Sequence, residues 1–145
     1  MAFTDDWLAL TTEETLEPDL KICDPHHHLW DAGFDPSAKF RSEQVEGRYL
    51  FDEILAEVNS GHNVTSTVFI ECMSMYRADG LAHLRPVGET EFVNGIAAMS
   101  ASGRYGPCRI AAGIVGLTDM NLGSGAREVL EAHISAGAGR FRGIR

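Results

Sequence analysis

The chain has 145 residues, 44% of them hydrophobic and 23% charged, with a formal net charge of -9, a balance that fits one globular domain rather than a disordered tail. Its excess of acid, with a sequence pI of about 5.0, repels phosphate backbones and anionic lipid, so nucleic-acid and membrane-surface partners are not expected. No apolar run approaches the ~20 residues of a membrane helix, and the acidic start MAFTDDWLALTTEE lacks the order of a signal peptide. Cys23, Cys72 and Cys108 form no CxxC pair, which fits a reducing cytoplasm and not a disulfide framework.

In chain order, residues 1–19 read as an irregular or partly helical lead-in closed by Pro18. Leu20-Lys21-Ile22-Cys23 predicts a short strand running into Asp24. Residues 29–47 carry Gly33, Pro36 and Gly47 among polar residues and predict a long loop. A helix is expected over 49–60, where Leu50, Ile54, Leu55 and Val58 recur at three- and four-residue steps, with Gly61 as its left-handed cap. Residues 64–72, VTSTVFIEC, are rich in β-branched side chains and read as a second strand. A long loop over 73–89 follows, then a helix over 92–102 built on Phe92, Val93, Ile96 and Met99. Residues 109–117, RIAAGIVGL, are nearly all apolar, as a strand buried on both faces should be. A third helix is expected over 126–136, with Val129, Leu130, His133 and Ile134 on its inner stripe, and 139–145, GRFRGIR, begins a fourth strand.

Strands alternating with helices predict βαβ units and a parallel sheet. Four repeats fall short of the ~250 residues of an eight-stranded barrel, and a four-stranded parallel sheet alone leaves open edges and a poorly covered face. The expected fold is therefore α/β, with residues 20–145 forming the N-terminal half of a larger, truncated fold. A complete small doubly wound domain is the alternative. An isolated half would be prone to aggregate or would need a partner.

The stretch DPHHHLWD, residues 24–31, is the strongest chemical signal. Side chains alternate along a strand, and residues two apart sit about 6.6–6.8 Å from each other on one face. Asp24, His26 and His28 then share a face, while His27 points away toward the helices. Zinc binds imidazole nitrogen at about 2.0–2.1 Å, so His26 and His28 can converge on one divalent ion, with further ligands supplied by other parts of the fold. The C-terminal end of a strand is also where active sites of βα barrels lie.

ICDPHHHLWD resembles the strand-one signature Asp-x-His-x-His of the amidohydrolase superfamily, and more narrowly amidohydrolase family 2, which includes sugar and pyrone lactonases. VFIEC and GRFRGIR resemble the second and fourth barrel strands of those proteins, so the likeness runs from about residue 20 to the end and covers about half of such a barrel. The resemblance implies an eight-stranded βα barrel with His26 and His28 as the first two metal ligands. Family members add histidines after strands five and six and an aspartate after strand eight, and these segments are not in the sequence. Some of the lactonases keep the histidines and work without metal, so both modes stay open.

Two other residues are substrate-binding candidates. Glu71, at the end of the second strand, can meet substrate hydroxyls or a water, or can simply be solvated. Arg145 offers a planar fork for a carboxylate or ring oxygen, with Gly143 leaving room beneath it, and in the resembled lactonases arginines of this region bind substrate. Tyr76, Arg77, His83 and Arg85 lie in the long loop at the same end. His62 and Asn63 fall at the opposite, stability-related end, and His133 reads as structural. Phosphate-loop spacing and a GxSxG context are both absent. The expected activity is hydrolysis of a small lactone or cyclic carboxylated substrate, with a metal, or the histidines and arginines, polarising its carbonyl. A decarboxylase on the same scaffold and a non-catalytic half-barrel binding module are the alternatives, and self-association is left open.

Overall fold

The computed structural model describes residues 9–31 and 47–145. The start of the lead-in and the centre of the loop expected over 29–47 lie outside them. Four strands build the main sheet: β1 (Ile22–His27), β4 (Val64–Ile70), β5 (Arg109–Gly116) and β6 (Phe141–Ile144). They are hydrogen-bonded in the order β1-β4-β5-β6 and every pair is parallel. Parallel neighbours need long crossovers. Here these contain α1 (Phe51–Val58), α2 (Val87–Ala101) and α3 (Ala126–Ala136). A two-residue ribbon, β2 (Trp30–Asp31) against β3 (Arg48–Tyr49), closes the neck of the first crossover. The chain is an α/β fold.

The core forms where the helix-facing rows of the strands meet the helices. Phe69, Ile110 and Ile114 from the sheet pack with Leu29 and with Ile54 and Val93 from α1 and α2, each 0–2% exposed. The alternate row, Val68, Ile70, Val115 and Ile144, is only half-buried. That contrast follows from the two-residue period of a strand: one set of side chains meets helices, and no described element covers the other.

Several boundaries differ from the sequence expectation. The first strand continues through the histidines to His27 instead of stopping at Asp24. It slips by one residue, because Asp24 stands opposite Thr67 while His27 stands opposite Phe69. Pro25 sits inside that slip. Proline has no N–H for the ladder and is tolerated at a bulge on an edge strand. Helix α2 begins at Val87, five residues before the expected start, so the last part of the predicted loop is helix. Helix α3 has the expected bounds, but Ile134 is 59% exposed and belongs to the solvent face, whereas Ala126, Val129 and His133 are buried. Strand β5 bulges opposite β4, and the N–H of Ala111, whose φ is 51°, is taken by the Thr67 hydroxyl at 2.8 Å. Among the described residues no helix is long and apolar enough to cross a membrane.

Candidate functional site

The bulge in β1 sets the geometry of the histidine triplet. Asp24 Oδ1 accepts the backbone N–H of His26 at 3.0 Å, closing the slip as an Asx turn does. The Asp24 carboxylate thus serves the backbone beside the histidines. His27 turns inward, 7% exposed, with its ring edge-on to Phe69 at a centroid distance of 5.8 Å. Burial pushes its pKa down to about 4, against weaker opposing effects of the His28 carbonyl and the Asp24 charge. Among the described residues its Nε2 is buried without a partner.

His26 and His28 face the other way and meet. Their Nε2 atoms are 3.2 Å apart, with the rings edge to face. His28 Nδ1 lies 2.8 Å from the carbonyl oxygen of Ile70 on the neighbouring strand. A carbonyl only accepts, so Nδ1 carries the proton and Nε2 of the neutral ring presents a lone pair. This is the arrangement that orients metal-binding histidines, one nitrogen donating to a fixed oxygen and the other turned to the ion. Two nitrogens on one tetrahedral ion at 2.0–2.1 Å lie about 3.3 Å apart, close to the spacing in the structure, so the pair fits a shared divalent cation. Among the described residues no group of three or more His, Cys, Asp or Glu side chains is placed to hold a metal. A hollow of about 550 Å³ opens beside the pair, with Trp30, Tyr49 and Glu57 in its wall. Trp30 stacks on Tyr49 at 5.3 Å, and the Tyr49 hydroxyl donates to Glu57.

The two substrate-binding candidates also meet, but with each other. Glu71, 6% exposed, accepts from Arg145 Nε through Oε1 at 2.9 Å. Glu71 is thus not solvated, as one sequence reading allowed. Its other oxygen, Oε2, is buried without a partner among the described residues. The backbone explains the encounter: Glu71 N–H donates to Val115 O, and Arg145 N–H donates to the next carbonyl, Gly116 O. Strand β5 therefore holds both residues level, one from each side. Gly116 adds no side chain between them, and a Cβ there would come within 3.0–3.2 Å of His133 and Phe141. By strand alternation Glu71 falls on the Phe69 face, opposite His26 and His28, so the hydrogen bonds join the four candidates as two separate pairs.

The loop after β4 is tied to the protein itself. Arg77 pairs with Glu91, Arg85 donates to the carbonyls of Arg77 and Ala78 at 2.7 and 2.9 Å, and His83 bonds Glu128 at 3.2 Å. Among the described residues the Tyr76 hydroxyl is buried without a partner, and burial raises its pKa, helped by the nearby Glu89 and Glu71 charges. Sequence reasoning missed Glu89, placing it in this loop. It lies in the first turn of α2, 1% exposed, and its Oε1 accepts the N–H groups of Cys72 and Ser74 at 3.1 and 2.8 Å. Burial raises its pKa against the effect of those donors. A signal was present: Pro86 at the helix start and an acidic residue, Glu89, in the first turn. Ser74 Oγ in turn donates to Leu29 O at 2.8 Å, fastening the loop to the segment behind the histidines.

No family model matches the chain, and no solved structure matches it. Among curated proteins, an uncharacterized protein of Sinorhizobium fredii, y4mH, is 28% identical over 137 residues. The match covers 88% of this chain and 40% of the relative, so the chain spans well under two thirds of that protein's length.

Proposed function

We propose that the chain is the first half of an eight-stranded βα barrel of the amidohydrolase kind, and that the whole protein hydrolyses a small lactone or cyclic carboxylated substrate at the C-terminal ends of its strands. The observation that carries this reading is the His26–His28 pair, with Nε2 atoms 3.2 Å apart and His28 Nδ1 fixed by the Ile70 carbonyl. The barrel is supported by the half-buried second row of the sheet, because parallel sheets are covered on both faces.

In this reading His26 and His28 hold a divalent metal, zinc by its affinity for imidazole, with the remaining ligands on segments beyond this chain. The metal supplies Lewis acidity for a substrate carbonyl. Tyr49 and Trp30 wall the hollow beside it, and Arg145, backed by Glu71, binds a substrate carboxylate or carbonyl oxygen. A panel of sugar and aromatic lactones, followed by proton release from the full-length protein before and after chelation, tests the proposal. Turnover that falls on chelation and returns with zinc is expected. Activity that survives chelation points to the metal-free mode, carbon dioxide release to a decarboxylase, and inertness toward the whole panel to a binding module.

A further inference from the structure

Glu71 and Arg145 are unequal partners. The carboxylate is sealed, with the residue 6% exposed and Oε2 buried without a partner among the described residues, so a substrate in the mouth has no route to it. Among the described residues the guanidinium is open, its side chain 52% exposed. Arginine presents five donors in a rigid fork, and only Nε is directed at Glu71. The Nη edge is what an anion can reach. Strands β4 and β6 are two strand spacings apart, about 9.6 Å, and the ion pair spans that gap past a glycine, with both residues anchored to consecutive carbonyls of β5. An exposed arginine at a strand end otherwise gives up much rotamer freedom when it binds.

We infer that Glu71 is a positioning residue: it holds Arg145 by Nε so that the Nη edge is set in advance for a substrate carboxylate. This rests on the proposed carboxylate-binding role of Arg145 and assigns Glu71 a task other than touching substrate. The alternative, a carboxylate that competes with incoming anions for the guanidinium, predicts the opposite sign. Removing a competing negative charge strengthens anion binding, whereas removing a positioning contact weakens it even though the site becomes more positive.

The test is titration of the full-length protein with malonate, read from the guanidinium signals of Arg145 by nitrogen-15 NMR, in wild type, Glu71→Ala and Glu71→Gln. In wild type a protected Nε–H signal is expected, with malonate moving the Nη signals. Glu71→Ala should lose the Nε–H protection and bind malonate about tenfold more weakly, as loss of a hydrogen bond to a charged group implies. Glu71→Gln keeps an acceptor for Nε–H and should stay within about threefold of wild type. Unchanged or tighter malonate binding in Glu71→Ala overturns the positioning role. Failure of malonate to move the Arg145 signals in wild type overturns the carboxylate-binding reading beneath it, and a melting curve of each variant separates both results from loss of the fold.

Discussion

Two histidine environments in this chain use the same side chain for opposite ends. His133 on α3 is 0% exposed and fully engaged: Nδ1 meets the Thr90 hydroxyl at 2.8 Å, Nε2 meets the Leu117 carbonyl at 2.9 Å, and the ring stacks on Phe141. His28 at the end of β1 has one nitrogen fixed by a carbonyl, while among the described residues the other meets a second imidazole. A histidine with both nitrogens satisfied by the fold is a structural part. One whose second nitrogen accepts from another imidazole, a proton that an ion can replace, suits the metal-binding role proposed for the pair. The backbone produces the difference: His133 is packed between a helix and the sheet, whereas the bulge at Pro25 sits on an edge strand and lifts two imidazoles to the same side.

The sharpest way to break this contrast is to truncate each ring. In the full-length protein, His28→Ala should lower metal content and turnover by more than about 100-fold, beyond the 10–100-fold typical of losing an outer partner, while the melting temperature barely moves. His133→Ala should do the reverse. Its cavity and the stranded Thr90 and Leu117 partners should cost about 3 kcal/mol in denaturant unfolding, with turnover per folded molecule retained. A His133→Ala protein that is fully stable but inactive would erase the distinction.

Acid sharpens the same comparison. Burial holds the His133 pKa below its ordinary value, so as pH falls the unfolded chain takes up the proton before the folded one. The stability from this site is therefore complete above the unfolded value of about 6.5 and is lost as pH falls below it, at up to about 1.4 kcal/mol per pH unit. Urea unfolding at a series of pH values should show that slope, and His133→Gln should lessen it. An unaltered slope in the variant would place the titration elsewhere. The smallest effect is expected at the bulge: Asp24→Ala removes one exposed bond to His26 N–H and should cost about 1 kcal/mol, with a weaker metal affinity if the bulge aims His26.

Much of this was legible from sequence because it depends on local pattern. Helix α3 has its expected bounds, since Ala126 to Ala136 is good helix-forming sequence with Gly137 after it. The parallel order of the strands follows from their alternation with helices. Glu89 and Thr90 were not legible as a buried helical turn, because polar residues look solvated until Cys72, Ser74 and His133 are brought to them from 15–43 residues away. Ile134 has the spacing of an inner residue, yet α3 buries only a narrow stripe and leaves it in solvent. The histidine pair was read from alternation and from the resemblance of ICDPHHHLWD, although a bulge and an Asx turn shape that segment, and neither is visible in a two-residue period. The pairing of Glu71 with Arg145 was illegible altogether: it joins residues 74 apart through adjacent carbonyls of a third strand.

The central claim is that His26 and His28 present two Nε2 lone pairs to one ion. It is tested most directly by adding zinc to the full-length protein and following the histidine ring nitrogens by NMR. The account predicts that Nε2 of both His26 and His28 moves to metal-bound shifts, that His28 Nδ1 stays protonated against Ile70, and that the His27 and His133 rings do not respond. Zinc bound through His28 Nδ1, by His27, or by neither His26 nor His28 would contradict it.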